Sequence, residues 1–205
     1  MTDLKTPTGT GLNPAVAWSR RVRRVGGLIQ LAFAAFWLVC GALSIGGRAG
    51  TSLTGVAIVI VVAVSVYAIR VTAGTGRRPT SPEGKRIERS VNAATLIELV
   101  ASFALPVIVI AAGHSDWVLP SIAVTIGPLL LWLDHLVHIP QYRPAGWALT
   151  IGPLVLVATM SGPTLAATTG LAAGVILLAT ATAGFHDLAG PEPSRLARSL
   201  RAPTR

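Results

Sequence analysis

Six apolar runs fill most of this chain, and short polar segments separate them. The runs cover residues 27–46, 53–69, 93–112, 117–136, 145–161 and 164–183. A helix that crosses the hydrocarbon core of a bilayer needs roughly 20 apolar residues, within a range of about 17–25. Each run is long enough for such a helix. The sequence therefore predicts an all-α membrane protein, a bundle of six transmembrane helices.

The composition supports a membrane protein over a soluble one. Only 12% of the residues are charged and 52% are hydrophobic, whereas a soluble domain carries about 25% charged residues. A net charge of +9 would suggest nucleic acid as the partner of a soluble protein. Here the positions of the charges give a better explanation, so we expect no nucleic-acid partner.

Lysine and arginine lie in alternate gaps between the runs. Sixteen of the 17 precede the first run, separate the second from the third or the fourth from the fifth, or follow the sixth. Only Arg48 lies in one of the other gaps. Because basic loops stay in the cytoplasm, the pattern predicts that both termini are cytoplasmic. It divides the chain into an N-terminal segment, 1–26, a transmembrane bundle, 27–184, and a basic tail, 185–205.

The N-terminal segment carries a helix-start signal and a basic cluster. Asn13 can cap a helix whose first residue is Pro14. Trp18 and four arginines follow within ten residues. Either an interfacial helix lies on the membrane here, or the first transmembrane helix extends into the cytosol. In both cases we expect anionic headgroups to be the lipid partners.

One acidic residue, Glu98, lies well inside an apolar run. Thr95 and Ser102 share its helical stripe. A charged group at the centre of a membrane helix costs about 2.5–3.5 kcal/mol on insertion scales. We therefore expect Glu98 to face the bundle, and its replacement by leucine to leave polar neighbours unpaired.

The fourth run ends in a second polar group, formed by Asp134, His135 and His138. Because the third and fourth runs form a tight hairpin, Glu98 and Asp134 are predicted to lie at comparable depth. The candidate site is therefore the cluster of these four residues. It is either a proton or cation site or a polar network that locks the helices together. His135, His138 and His186 could act as metal ligands, but no H-E-x-x-H motif is present. We expect no metal, no cofactor and no catalytic residue.

Two short motifs bear on how the helices pack. The pentapeptide Thr-Ile-Gly-Pro-Leu occurs at 125–129 and again at 150–154. This echo indicates either an inverted repeat, as in some transporters, or a coincidence of common membrane residues. Gly170 and Gly174 form a GxxxG motif, which lets two helices approach closely. Packing within the chain is favoured over dimerisation.

The stretch His138, Pro140, Tyr142 and Gly146 resembles that of small six-helix inner-membrane proteins common in bacteria. The resemblance implies an integral membrane protein and no catalytic assignment. Together with arginine-rich, lysine-poor usage, it leads us to expect a bacterial plasma membrane. Two functions remain open: a structural or partner-binding membrane subunit, or a small proton-coupled carrier that uses the polar cluster. A homo-oligomer or a membrane partner is compatible with either.

Overall fold

The computed structural model describes residues 14–71, 82–137 and 139–189, and every regular element in them is helical. The helices are α1, Pro14–Ile45; α2, Gly47–Val71; α3, Pro82–Ala111; α4, Val118–Val137; α5, Tyr142–Thr159; and α6, Gly162–Ala189. A short 3-10 helix, Ser115–Trp117, precedes α4. The predicted all-α fold is confirmed for these parts of the chain.

Five helices in the described residues are long and apolar enough to cross a membrane. Their membrane-compatible segments are Arg24–Ile45, Gly47–Val71, Glu88–Ala111, Ser115–Leu136 and Gly162–Leu188. The structure is thus that of a multi-pass membrane protein. The fifth predicted run, 145–161, corresponds to α5, which has only 18 residues and carries Arg143 in its first turn. α5 is not among the helices that combine the length and the apolar composition of a membrane span.

Two helices extend beyond the apolar runs that predicted them. α1 has 32 residues and begins at the predicted Pro14; it is continuous from there to the end of the first run. α3 has 30 residues and begins at Pro82; it is continuous from the second loop to the end of the third run. The predicted capping residue Asn13 lies outside the described residues.

Glycines with positive φ form the three hairpins at one end of the bundle. Gly46 between α1 and α2 has φ 72°, Gly113 after α3 has φ 84°, and Gly162 at the start of α6 has φ 60°. Side chains other than glycine rarely adopt this conformation. These residues allow the chain to reverse within a few residues, so α1 with α2, α3 with α4, and α5 with α6 are antiparallel neighbours.

The closest helix crossing joins α1 to α6 through three glycines. A Cβ placed on Gly41 would lie 2.5 Å from the backbone nitrogen of Leu171, and one on Gly170 would lie 2.6 Å from the Cα of Gly41. A Cβ on Gly174 would lie 2.6 Å from Leu38 of α1. The GxxxG motif is therefore occupied by contacts within the chain, as the sequence analysis favoured.

The two copies of the repeated pentapeptide have different environments. A Cβ on Gly127 would clash with the side chain of Thr150 and lie 2.7 Å from the carbonyl oxygen of Gly146, whereas a Cβ on Gly152 would meet no atom of the described residues within 4 Å. Pro128 is exposed and Pro153 is buried. Equivalent positions of an inverted repeat would have similar surroundings, so the structure favours coincidence over a repeat.

α2 and α3 flank a core built from the other four helices. α2 packs on α1 and α6, where Ala68 is buried beside Ala181 and Phe185. α3 packs mainly on α4, and only 6% of its membrane segment is buried. This leaves a gap between α1 and α3, which is the most distinctive feature of the bundle.

Candidate binding cleft

A cleft of about 310 Å³ fills the space between α1, α3 and α4. Its wall on α1 is formed by residues 25, 26, 29, 30 and 33, its wall on α3 by residues 88, 91, 92, 95 and 98, and its wall on α4 by residues 126, 129, 130 and 133. Ile139, Tyr142 and Leu177 complete it. Ligand pockets in proteins have volumes of about 300–1,000 Å³ and are mostly apolar with a few polar groups. The cleft is at the small end of this range.

Glu98 lies at the deep end of the cleft. Glu98 is only 8% exposed, although most residues of the α3 membrane segment are not buried. It follows Glu88, where the membrane segment of α3 begins, by ten residues, or about 15 Å at the rise of an α-helix. Because the hydrocarbon core is about 30 Å thick, Glu98 is near the middle of the segment. It faces protein, as expected.

A short chain of hydroxyl groups connects Glu98 to α4. The Ser102 hydroxyl donates to Oε1 of Glu98 at 2.9 Å, and its oxygen is 2.7 Å from Oγ1 of Thr125. Thr125 in turn lies 2.7 Å from the carbonyl oxygen of Ile122, to which it can donate. Within the described residues, the bond from Ser102 is the only hydrogen bond of the Glu98 side chain.

Each hydroxyl has one proton, so this chain has two consistent directions. When Glu98 is ionised it can only accept, and Thr125 donates to Ser102 while Ser102 donates to Glu98. When Glu98 is protonated it can donate to Ser102, which then donates to Thr125, and Thr125 donates to the Ile122 carbonyl. Gain or loss of one proton at Glu98 would therefore reverse two hydrogen bonds, one within α3 and one between α3 and α4.

Gln30 of α1 is a polar wall residue that the sequence analysis missed. It is 7% exposed, and its side-chain nitrogen has no hydrogen-bond partner in the described part of the chain. Buried amide nitrogens are nearly always paired, because an unpaired one costs about 1–3 kcal/mol. The available signal was a single amide inside the first apolar run. Gln30 gives the cleft a donor with no acceptor of its own.

The other predicted site residues are not gathered around Glu98. Since Ser102 contacts Thr125 and the helices are antiparallel, Glu98 lies opposite Leu129. Asp134 is five residues further along α4, or about 7.5 Å, and does not line the cleft. The two carboxylates were predicted to lie at comparable depth, but along the helix axis they are separated by more than one turn.

The histidines are also separate from the cleft. His135 is exposed and its ring centre is 6.5 Å from that of Trp132; His186 is exposed near the end of α6. His138 lies outside the described residues. Among those described, no group of three or more His, Cys, Asp or Glu side chains is placed to hold a metal ion.

No protein-family model, curated protein or solved structure matches this chain. The resemblance based on residues 138–146 therefore stays a prediction.

Proposed function

We propose that this protein is a small membrane carrier that binds a solute in the cleft and exchanges it for a proton at Glu98. The observation that carries the proposal is a buried carboxyl group whose removal would leave no polar neighbour unpaired. Without Glu98, Ser102 can still donate to Thr125 and Thr125 to the Ile122 carbonyl. Burial of the carboxyl costs free energy and contributes little packing in return. An ionisable group kept inside a membrane at such a cost is typical of a functional site.

The shape of the cleft supports access from one end. Its lining extends from the exposed Glu88 and Asn92 at the start of the α3 membrane segment to the buried Glu98. On α3 the lining does not continue past Glu98, and Ser102, one turn further along, contacts Thr125 of α4. A carrier that alternates between two sides has such a site, open to one side and closed to the other.

Two prolines lie close to the closed part of the cleft. Pro106 in α3 and Pro128 in α4 are inside their helices. Each lacks an N–H, which releases the carbonyl group one turn earlier, that of Ser102 and that of Val124. Helices bend at such points. The contact between Ser102 and Thr125 could therefore open by bending of either helix.

We also propose six membrane crossings with both termini in the cytoplasm. Tyr142, at the start of α5, lies near Gly26 of α1, whereas the backbone nitrogen of Gly162, just after α5, donates to Oδ2 of Asp116 at 3.2 Å. Hence α5 extends from one end of the bundle to the other despite its length. Sixteen of 17 basic residues then lie on one side, which the positive-inside rule assigns to the cytoplasm.

Reporter fusions test this topology. A reporter that works only in the cytoplasm should be active when fused after residue 205. A reporter that works only in the periplasm should be active when fused at Gly113 or Gly162. The reverse orientation is opposed by the charge bias of the loops. If α5 did not cross, the fusions at Gly113 and Gly162 would report opposite sides. The proposed location is the plasma membrane of a bacterium.

The basic side of the bundle supports the proposed contact with anionic lipid. The described cations at that end are Arg24, Arg70, Lys85, Arg86, Arg89 and Arg143, and each is worth about 1 kcal/mol near an anionic surface. A peptide of residues 12–26 should bind anionic vesicles and leave neutral vesicles largely free. Equal binding to both would remove the electrostatic contribution.

Proton movement in liposomes tests the carrier proposal. Purified protein is reconstituted with a pH-sensitive dye inside, and small amines, carboxylic acids and neutral solutes are added outside in turn. At least one class should drive proton movement, and Glu98→Gln should abolish it, since the amide cannot release a proton. Asp134→Asn removes a carboxylate outside the cleft and should retain the movement. A response of Glu98→Gln equal to that of the wild type would contradict the proposal.

A structural or partner-binding subunit is the second candidate, and the exposure of α3 favours it. Ile97 is 70% exposed and Phe103 71% exposed on this helix. In a monomer these side chains would contact acyl chains, and in a complex another membrane helix could cover them. Recovery of a stoichiometric membrane partner from mild detergent, with no solute-driven proton movement in liposomes, would favour this function over the carrier.

A further inference from the structure

We infer that the cleft binds a small lipophilic ammonium compound. The inference rests on the proposed function, because it names the class of solute that the same site would take. Three features of the wall support it: the sign of its charges, its apolar surface, and the unpaired amide of Gln30.

The cleft is acidic in a strongly basic protein. The chain has 17 lysines and arginines against eight aspartates and glutamates. Yet the described residues that line the cleft include two carboxylates, Glu88 and Glu98, and no lysine, arginine or histidine. Ionised Glu98 accepts only one hydrogen bond from described residues, at Oε1. Its second oxygen is left to accept from, or pair with, a cation.

The charges along the cleft give a cation a path to Glu98. Glu88 lies at the exposed end, Glu98 at the buried end, and Thr95 between them on the same helix wall. A cation that enters would exchange water for one carboxylate and then the other. An anion would meet a carboxylate at both ends, which excludes it by like-charge repulsion.

The remaining surface of the cleft is suited to an apolar body. Ile29, Phe33, Ile126, Leu129, Leu130 and Leu133 contribute to it. An aromatic ring such as that of Phe33 also attracts an ammonium group within about 6 Å of its centre. A strongly hydrated inorganic cation would gain nothing from this surface, whereas an ammonium group that carries an aryl or alkyl body would bury that body here.

Gln30 adds a requirement for an oxygen atom in the ligand. Gln30 lines the cleft, and its side-chain nitrogen is buried and unpaired within the described residues, so a turn of the amide would present this N–H to a ligand. An N–H donor of this kind is satisfied by a hydroxyl, ether or carbonyl oxygen. Ammonium compounds that also have such an oxygen should bind better than those that lack it.

Binding of radiolabelled benzyltrimethylammonium to the full-length protein tests the inference. The protein is placed in nanodiscs of phosphatidylglycerol, which has no ammonium group, and empty nanodiscs give the background. Saturable binding is expected, with a Kd raised at least tenfold by Glu98→Gln, because a contact with a buried charge is lost. Asp134→Asn removes the same charge outside the cleft and should leave the Kd within twofold.

Two competitors separate charge from shape. Neopentylbenzene replaces the ammonium nitrogen by carbon and keeps the size, and benzenesulfonate reverses the charge. Neither should displace the label at concentrations at which unlabelled benzyltrimethylammonium does. Displacement by neopentylbenzene at equal concentration, absence of saturable binding, or an unchanged Kd in Glu98→Gln would each overturn the inference.

A lipid headgroup is the other source of an ammonium group. Nanodiscs of phosphatidylethanolamine distinguish it: if the lipid supplies the ligand, the apparent Kd of the label rises at least tenfold in them, and otherwise it stays the same. Both results keep the ammonium class and assign its source. If instead the label fails to bind while another solute drives Glu98-dependent proton movement, the ligand class is wrong and the carrier proposal stands.

The role of Gln30 is tested by comparing two ammonium compounds: benzyltrimethylammonium, which has no oxygen, and acetylcholine, which has ester oxygens. Gln30→Leu should weaken acetylcholine binding at least fivefold and leave benzyltrimethylammonium within twofold. Equal loss for both compounds would mean that Gln30 only shapes the cleft, and would remove the oxygen requirement from the inferred ligand.

Discussion

Replacing Gly41 by alanine is expected to lower the free energy of unfolding by about 3 kcal/mol, at the upper end of the range for overpacking a close contact. The added carbon would lie 2.5 Å from the backbone nitrogen of Leu171 and 2.8 Å from the carbonyl carbon of Gly170. Neither atom can move without its helix. α1 and α6 would therefore have to separate along the closest crossing in the bundle. Gly170→Ala should behave alike, because its added carbon meets the backbone of Gly41.

Gly55→Ala is the matched control for this crossing. Gly55 also lies inside a helix, but a Cβ there would meet no atom within 4 Å in the described part of the chain. The substitution should leave stability unchanged or raise it by about 0.5–1 kcal/mol, since alanine loses less backbone entropy than glycine in a helix. Unfolding in mixed micelles of mild detergent and dodecyl sulfate measures all three variants. Equal stability of Gly41→Ala and Gly55→Ala would show that the crossing is looser than described.

Replacing Glu98 by leucine is expected to abolish solute-driven proton movement without loss of stability. The two hydroxyls beside it retain acceptors, in Thr125 and in the carbonyl of Ile122. The variant also removes a carboxyl group from the middle of a membrane segment. Burying a carboxyl group costs free energy, and a leucine side chain at the same position does not carry this cost. The free energy of unfolding should therefore be unchanged or higher.

This expectation reverses the one drawn from the sequence, in which leucine at this position would leave polar partners unpaired. Unfolding in mixed micelles and proton movement in liposomes are measured on the same preparations. Asp134→Leu, a like change outside the cleft, should retain proton movement. A fall in stability of more than about 2 kcal/mol in Glu98→Leu, the range expected for orphaned buried groups, would indicate a structural network at this position.

Much of the fold could be predicted because local patterns determine it. Pro14 and Pro82 begin helices, and the apolar runs correspond to them. The orientation of Glu98 was also predictable, since a carboxyl group in hydrocarbon is costly wherever its helix packs. The start of α5 was less predictable: the apolar run begins at residue 145, whereas the helix begins at Tyr142 and has Arg143 in its first turn.

The amino-acid sequence by itself determined that the chain is a multi-helix membrane protein, where its charges lie, and that Glu98 needs a protein environment. These properties depend only on composition and on contacts with near neighbours in the chain. Only the tertiary structure decided which helices leave a gap. α1 and α6 meet through glycine, and α3 packs mainly on α4. The space that results brings Gln30 to the same cleft as Glu98. That pairing joins residues 68 positions apart, and it depends on how closely helix backbones can approach, which no local pattern records.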